Sequence, residues 1–268
     1  MTTSGTDDSS YAHVRLFAFD LDDTLAHSKQ PLSPEMVDAL GELISVRDVL
    51  VISGARFEQF EAQVLRTMPE DARLQRLHLM PTCGTRYLRW REGAWVEQYA
   101  HDLDRATKDA VMVAVEEQAR HLGFWRDDDR VWGDRIEDRG SQITYSALGQ
   151  AAPIEAKRAW DPTTSKRHAL REALSRELPL LEVRAGGMTS IDITERGIDK
   201  AYGVGKLIDM MALAPGELHF VGDRLEPGGN DFPVVALGVS TYAVADCDET
   251  LVHIRRILDE LGRGEEAR

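Results

Sequence analysis

The chain has 268 residues, of which 43% are hydrophobic and 29% are charged; this suits one large or two modest globular domains and excludes general disorder. No apolar run reaches the roughly 18 residues of a membrane helix, and 46 acidic against 32 basic residues, a net charge of −14, argue against a nucleic-acid partner. The two cysteines form no paired motif, so we expect a cytoplasmic protein without a disulfide framework or a zinc site.

Elements of a parallel α/β fold open the chain. The run from His13 to Asp20 is almost continuously apolar and ends in acids, which is typical of a strand covered on both faces. Ser33 followed by Pro34 predicts the start of a helix. Residues 49–52 form a second apolar strand. Strand, helix and strand in this order predict a doubly wound α/β domain.

The middle of the chain has a different pattern. Residues 104–122 and 165–178 show helical spacing, whereas the alternation around Ile143 and the run 183–193 indicate strands. These elements predict a separate α+β domain inserted into the first one.

The α/β pattern then returns. Residues 200–211 and 250–261 have helical apolar spacing, and residues 218–221 form a short apolar strand. We therefore predict a core in two parts, residues 1–98 and 194–268, with an inserted α+β cap domain at residues 99–193.

Acidic residues follow two of the predicted strands. Asp20 and Asp22 end the first strand, while Asp223 and Asp231 follow the strand at 218–221. The carboxyl ends of strands in such sheets form binding sites, and clustered carboxylates suit Mg²⁺. An Asp beside Mg²⁺ can attack a phosphoryl group, and a second Asp can exchange the proton of the leaving oxygen. The alternative is that Asp and Thr after a strand form an ordinary turn.

Two further residues fit a phosphoryl site. Ser53 and Gly54 end the second strand, where a hydroxyl and a backbone N–H can hold a phosphoryl oxygen, although Ser-Gly is also a common turn. Lys200 stands at a helix N-terminus, where its charge opposes the helix dipole, and this favours a role in phosphate neutralisation. A surface lysine is the alternative interpretation.

Taken in order, these motifs resemble those of the haloacid dehalogenase-like phosphotransferases: the DxDxT motif at 20–24, then Ser53, Lys200 and the acidic pair at 222–223. The stretch 222–231 resembles the GDxxxPGGND signature of the eukaryotic-type phosphomannomutases. Residues 186–200 are similar to that family's GGxxSxDxxxxGxDK run.

The resemblance implies a Rossmann-like haloacid dehalogenase core with a parallel sheet and an inserted α+β cap. It implies that Asp20 is the nucleophile and Asp22 the acid/base residue, and that the partner is a small phosphorylated sugar. The other implied positions are catalytic Ser53 and Lys200; substrate-binding Thr24, Gly54, Arg139, Gln150, Lys157, Ser190 and Asp192; and Mg²⁺-binding Asp20, Asp22 through its carbonyl, Asp223 and Asp231.

The chain departs from that family in the cap. Arg139 aligns with a phosphate-binding arginine, but Gln150 and Lys157 stand where two more are expected, and Lys29 replaces another after the first motif. Lysine lacks the bidentate fork of arginine, so capture of a distal phosphate should be weaker. We therefore expect a sugar-phosphate phosphatase, with phosphomannomutase as the alternative and a non-catalytic phosphate-binding protein as a second one. Homodimerisation is left open.

Overall fold

The computed structural model describes residues 11–69, 72–127 and 130–266. The chain divides into a larger unit, residues 1–99 with 199–268, and an inserted unit, Ala100–Ile198. The predicted cap, residues 99–193, starts one residue earlier and ends five residues earlier than this inserted unit. Its last strand continues to Glu195, and Arg184 Nη1 donates to the carbonyl oxygen of Ile198 at 3.0 Å, which ties the later residues to the insert.

The larger unit is built on a seven-stranded sheet. In spatial order its strands are β11 (Ser240–Ala243), β10 (Leu218–Gly222), β1 (Leu16–Asp20), β2 (Asp48–Ile52), β3 (Leu77–Met80), β4 (Arg86–Arg91) and β5 (Ala94–Ala100). The first five strands in this order are parallel, and β4 is antiparallel to β3. The carboxyl end of β1 therefore lies between those of β10 and β2.

Helices cover both faces of this sheet, which explains the unbroken apolar run of β1. Those of the larger unit are α1 (Pro34–Val46), α2 (Phe57–Phe60), α6 (Lys200–Met211), α7 (Phe232–Val235) and α8 (Cys247–Glu266). Phe17 and Phe19 pack in a cluster with α1 and α8, whereas Leu16 and Ala18 pack in another with α6. Within the described ranges, no helix combines the length and apolar character that crossing a bilayer requires.

The inserted unit is a four-stranded antiparallel sheet with helices. Its strands, in spatial order, are β6 (Ile136–Asp138), β7 (Gln142–Ser146), β9 (Ser190–Glu195) and β8 (Leu181–Ala185); its helices are α3 (Arg105–His121), α4 (Ile154–Trp160) and α5 (Ser165–Glu177). Ile143 and Ile193 pack in one cluster with α3 and α5, so the alternate residues Thr144 and Asp192 lie on the other face. The predicted fold class is confirmed, and the single strand region predicted at 183–193 is two strands.

A buried histidine pair joins β10 to α8. His219 Nδ1 contacts Ser240 Oγ at 2.8 Å, and His219 Nε2 lies 2.9 Å from His253 Nε2. Both residues are 2% exposed. Burial lowers the pKa of His219 to about 3 and that of His253 to about 4, from an ordinary value of 6.5. The pair is therefore neutral in the folded protein over a pH range in which the unfolded chain is protonated.

This pair should make the fold sensitive to acid. Below pH 6.5 the unfolded state binds more protons than the folded state, so the free energy of unfolding falls as pH decreases. The slope contributed by each such histidine approaches about 1.4 kcal/mol per pH unit. We expect the double variant His219→Gln/His253→Gln to show a shallower slope between pH 6.5 and pH 4.5 in urea unfolding. His121→Gln, on an exposed residue, should keep the parent slope; an equally steep slope in the double variant would contradict the assignment.

Candidate active site

The carboxyl ends of β1 and β10 bring three carboxylates together. Asp20 is the last residue of β1, Asp223 directly follows β10, and Asp231 directly precedes α7. Each contributes one oxygen to a group whose members all lie within 4.8 Å of one another. Phe19 pairs with Val221 in the parallel register, so the two strands end at the same edge of the sheet. Parallel pairing therefore joins acids that are about 200 residues apart in the chain.

Lys200 places a buried cation among these acids. It is the first residue of α6, whose N-cap Asp199 accepts a hydrogen bond from Tyr202 N at 3.1 Å. The Lys200 side chain is 1% exposed, and its ammonium contacts Asp20 Oδ1 and lies 2.5 Å from Asp231 Oδ1. Although burial would lower its pKa, the two carboxylates outweigh that effect and raise the pKa of Lys200. The lysine is thus held as a cation, despite its position at a helix N-terminus.

Burial dominates the electrostatics of the acids. It raises the pKa of Asp20, against the lowering influence of Lys200, and the nearby Asp231 raises it further. Burial and Asp231 likewise raise the pKa of Asp223. Three carboxylates with one ammonium therefore carry an excess of negative charge that a second cation would relieve.

Glycines allow the loop after β10 to pack closely. A Cβ on Gly222 would lie 2.5 Å from Asp231 Oδ2, and one on Gly229 would lie 2.0 Å from the carbonyl oxygen of Arg224. Arg224 N in turn donates to Asp231 Oδ2 at 3.1 Å. The glycines of this signature thus serve to bring Asp231 to the carboxylate group.

The Asp22 carboxylate is not one of the three clustered carboxylates, whereas Thr24 contacts one of them, with its Oγ1 3.4 Å from Asp223 Oδ1. Asp22 Oδ1 accepts from Lys29 N at 2.9 Å, and its carboxylate also contacts the side-chain amides of Gln59 and Gln63. Its predicted role in metal binding concerns the main-chain carbonyl, not this side chain. Thr24 is fully buried and accepts at Oγ1 from Asp223 N at 3.1 Å, so it links the loops after β1 and β10.

Ser53 and Gly54 follow β2 at the same sheet edge. Asp20 pairs with Ile52 in the parallel register, so Ser53 continues from the position beside Asp20. Ser53 is buried, and its Oγ accepts from Ala55 N at 3.1 Å. Among the hydrogen bonds of the described residues, Ser53 Oγ is an acceptor only, and its role in holding a phosphoryl oxygen stays a prediction. Gly54 lies in the same turn.

The predicted cap residues all lie in the inserted unit. Arg139 makes a close ion pair with Glu137, with its Nε and Nη2 at 2.7 and 2.6 Å from Glu137 Oε2. Lys157 Nζ donates to the carbonyl oxygen of Gln150 at 3.2 Å. Neither Glu137 nor its effect on Arg139 was predicted from sequence.

On the polar face of the inserted sheet, Asp192 is the central acid. Thr144 Oγ1 donates to Asp192 Oδ1 at 2.8 Å, and burial raises the pKa of Asp192. A Cβ on Gly186 would lie 2.6 Å from Asp192 Oδ2, which explains the glycine there. Ser190 is two residues earlier on the same strand and therefore on the same face.

The carboxylate group meets the requirements of a hard divalent cation. All three donors are carboxylate oxygens, which Mg²⁺ prefers over nitrogen or sulfur ligands. Their separation of at most 4.8 Å allows one ion to contact more than one of them. The raised pKa values of Asp20 and Asp223 reflect crowding of negative charge in a buried place. These residues therefore fit a Mg²⁺ ion.

Helix α6 should tolerate an added methyl group at one glycine and not at another. A Cβ on Gly203 would lie 2.7 Å from Ile52 Cδ1 and 2.8 Å from Gly84 Cα, whereas the nearest atom at Gly205 is 3.8 Å away. We expect Gly203→Ala to lower the free energy of unfolding by about 1–3 kcal/mol, because α6 must move. Gly205→Ala should raise it by about 0.5–1 kcal/mol through helix propensity.

Urea unfolding of the two variants provides the measurement. If Gly203→Ala were as stable as Gly205→Ala, the close contact between α6 and the end of β2 would be wrong.

Comparison with known proteins identifies the relatives of this chain. A family model described as eukaryotic phosphomannomutase matches residues 130–260. A probable phosphomannomutase of Caenorhabditis elegans is 24% identical over 257 residues, which cover 92% of this chain and 96% of that protein. Phosphomannomutase 1 of Homo sapiens is 26% identical over 231 residues, covering 82% and 83%. The predicted resemblance to these enzymes is confirmed.

A solved structure gives the fold independently. A C-terminally truncated IMP-nucleotidase of Plasmodium falciparum matches with a TM-score of 0.67 at 14% identity, covering 94% of this chain and 73% of that chain. At this identity the similarity shows the fold alone.

Proposed function

We propose that this chain, a haloacid dehalogenase-like relative of the eukaryotic phosphomannomutases, transfers the phosphoryl group of a sugar phosphate through an aspartyl-phosphate at Asp20. The chain is an enzyme of the phosphatase or phosphomannomutase type. The observation that carries the proposal is the buried arrangement of Asp20, Lys200 and Asp231 at the end of β1.

In the proposed reaction each residue has one task. An Asp20 oxygen attacks phosphorus, and Lys200 offsets the negative charge that gathers around it. Ser53 Oγ–H donates to a phosphoryl oxygen. Asp22 gives a proton to the leaving sugar oxygen and later accepts one from the incoming hydroxyl or water.

We propose Mg²⁺ as the cofactor, held by Asp20, Asp223 and Asp231. Contacts with Lys200 and with Arg224 N keep Asp231 beside the other two acids. When bound, Mg²⁺ would neutralise phosphoryl and carboxylate charge at the site. This proposal rests on the all-oxygen donor set and on the crowding of the carboxylates.

Interconversion of mannose 1-phosphate and mannose 6-phosphate is the first candidate reaction. The relatives that align over most of this chain are described as phosphomannomutases, and the family model of that name matches residues 130–260, which include Asp231. This supports the mutase over the hydrolase that the cap substitutions alone predict.

Hydrolysis is the second candidate, and one specific contact favours it. Arg139, the cap arginine that aligns with a phosphate ligand, is already bound by Glu137 at 2.6–2.7 Å. A mutase must retain a bisphosphate intermediate, and an acidic partner on the arginine weakens retention of the second phosphate. Gln150 adds no charge that would compensate.

A single assay separates the two candidates. Mannose 1-phosphate is incubated with enzyme, Mg²⁺ and mannose 1,6-bisphosphate, and mannose 6-phosphate and inorganic phosphate are quantified separately. Dominant isomer formation supports the mutase, and dominant phosphate release supports hydrolysis. Absence of both products, with a range of sugar phosphates, would reject the proposed function.

Glu137 should control the ratio of the two products. We expect Glu137→Gln to raise the ratio of isomer to inorganic phosphate several-fold. Arg139 then loses its ion pair with Glu137 and binds a phosphate group more strongly. Glu172→Gln, on an exposed position of α5, serves as the matched control and should leave the ratio unchanged. An unchanged ratio in Glu137→Gln would remove the argument for hydrolysis.

A further inference from the structure

The carboxylate of Asp22 is held by a set of donors from two segments of the larger unit. Its Oδ1 accepts from Lys29 N at 2.9 Å, from Gln59 Nε2 at 3.3 Å and from Gln63 Nε2 at 3.3 Å. Its Oδ2 accepts from Gln59 Nε2 at 3.0 Å. Among the hydrogen bonds of the described residues, Oδ1 thus has three donors and Oδ2 has one.

The two glutamines come from an irregular helix after β2. Helix α2 continues directly into a π-helical turn, Glu61–Leu65, which contains Gln63. Such wide turns are often found at functional sites. The spacing of four residues puts Gln59 and Gln63 on one side of this segment, so both amides reach the same carboxylate.

The orientation of the Gln63 amide is set by a second contact. Its Nε2 also donates to the carbonyl oxygen of Gln30 at 3.0 Å, while its buried Oε1 has no hydrogen-bond partner within the described part of the chain. Rotating the amide by a half turn would place Oε1 against the Gln30 carbonyl and the Asp22 carboxylate, oxygen against oxygen. Gln63 therefore leaves its own oxygen unsatisfied and presents only donors to Asp22.

The same helix fixes the loop that supplies the third donor. Leu32 N donates to the carbonyl oxygen of Gln63 at 2.9 Å, so the main chain and the side chain of Gln63 both bind the loop that follows β1. Lys29 has a φ of 61°, a left-handed conformation that directs its N–H toward Asp22. Three independent contacts thus restrain one carboxylate.

We infer that Gln59 and Gln63 are positioning residues for the Asp22 carboxylate: Oδ1 accepts from both amides and from Lys29 N, whereas Oδ2 accepts from Gln59 alone and is the oxygen that exchanges the proton of the reaction. This rests on the proposed function, which gives Asp22 the proton transfer. In the first transfer the bond from an Asp20 oxygen to phosphorus forms as the bond from phosphorus to the sugar oxygen breaks. The electron pair of that bond stays on the sugar oxygen, which takes the proton from Asp22 Oδ2.

The dependence on the leaving group distinguishes positioning from a structural role. A sugar alkoxide must be protonated as it leaves, whereas p-nitrophenolate leaves as a stable anion without a proton. Loss of the restraint should therefore slow the first phosphoryl transfer from mannose 6-phosphate and leave that from p-nitrophenyl phosphate nearly unchanged. A general loss of structure would slow both substrates equally.

The test compares Gln59→Met/Gln63→Met with the parent enzyme, because methionine keeps the length of glutamine and removes the N–H donors. With Mg²⁺ present, the first transfer is followed in a single turnover, because the later proton acceptance by Asp22 is common to both substrates. We expect the single-turnover rate of mannose 6-phosphate consumption to fall about 10²-fold, and that of p-nitrophenolate release to fall less than about 3-fold. Gln75→Met, on an exposed glutamine, should change neither rate. Gln59→Met alone, at a half-buried residue, replaces the double variant if thermal unfolding shows that the latter is not folded.

Each outcome decides one of the two proposals. Equal loss on both substrates, or no loss on either, would overturn the role of the glutamines, provided that Asp22→Asn shows the selective loss on mannose 6-phosphate. If Asp22→Asn also lacks that selectivity, the proton transfer assigned to Asp22 fails and the inference fails with it. If the parent enzyme consumes neither substrate, the proposed function itself is rejected.

Discussion

Asp20→Asn is expected to reduce turnover of sugar phosphates at least about 10³-fold while the protein stays folded, because an amide oxygen is a poor nucleophile toward phosphorus. The residue ends β1, the middle one of the five parallel strands, and its side chain lies among Lys200, Asp223 and Asp231. The substitution preserves its shape and removes its negative charge. Phosphate and isomer formation are measured together, so that the result holds for either candidate reaction.

The variant also tests the covalent intermediate. Brief incubation with a ³²P-labelled sugar phosphate should label the parent protein with a hydroxylamine-sensitive bond, and should leave Asp20→Asn unlabelled. Asp38→Asn, an exposed aspartate of α1, is the matched control and should retain labelling and turnover. Substantial turnover by folded Asp20→Asn would refute the aspartyl-phosphate mechanism.

Lys200→Met is expected to weaken both catalysis and folding. Its removal leaves buried carboxylates without the ammonium that contacts Asp20 and Asp231. Breaking a buried ion pair from one side costs about 3–5 kcal/mol in free energy of unfolding. Turnover should fall at least about 10²-fold, since charge on the transferred phosphoryl group loses a fixed cation.

The stability loss should depend on pH in a defined direction. Burial raises the pKa of Asp20 above its ordinary value of 3.8, and Lys200 opposes that rise, so the Asp20 pKa in Lys200→Met should be higher still. A carboxyl group whose pKa is raised on folding binds protons more readily when folded. Its contribution to stability is therefore lost as pH rises through the raised pKa. Lys200→Met should consequently be more destabilised at pH 8 than at pH 5.

Urea unfolding at the two pH values, without added metal, measures this difference. Lys206→Met, on the same helix, removes a cation that lies over the rings of Tyr99 and Tyr202 and should cost at most about 1 kcal/mol. A pH-independent loss in Lys200→Met would show that the buried carboxylates do not respond to the lysine.

Much of the α/β core could be predicted from local patterns. The apolar run before Asp20 and the Ser-Pro pair before α1 correspond to β1 and to a helix whose N-cap Ser33 accepts from Met36 N at 3.2 Å. The predicted helix 200–211 coincides with α6. These elements have strong local signals: a buried strand is apolar throughout, and a capped helix carries its signal in adjacent residues.

The strands β3, β4 and β5 were not predicted. Strand β3 is buried but only four residues long and contains a histidine. The sequences of β4 and β5 mix apolar residues with arginines and glutamates, as in Arg86–Arg91, because this end of the sheet is covered less completely. A period-two signal of this kind is weak in a single sequence. The limits of the inserted unit were displaced for a similar reason, since pairing of β9 through Glu195 is a long-range property.

The acids of the site could be predicted from the sequence because they come after recognisable strands. Lys200 could be predicted because it begins a helix, where the helix dipole is unfavourable for a cation. The residues that restrain these side chains could not be predicted from the sequence. Gln59, Gln63 and Glu137 are ordinary surface residue types, and nothing in their neighbours distinguishes them. Local sequence can specify strand ends and helix starts, since those depend on residues a few positions apart. The donors on Asp22 and the acid on Arg139 depend on the distances that packing sets between side chains, and those appear once the chain is folded.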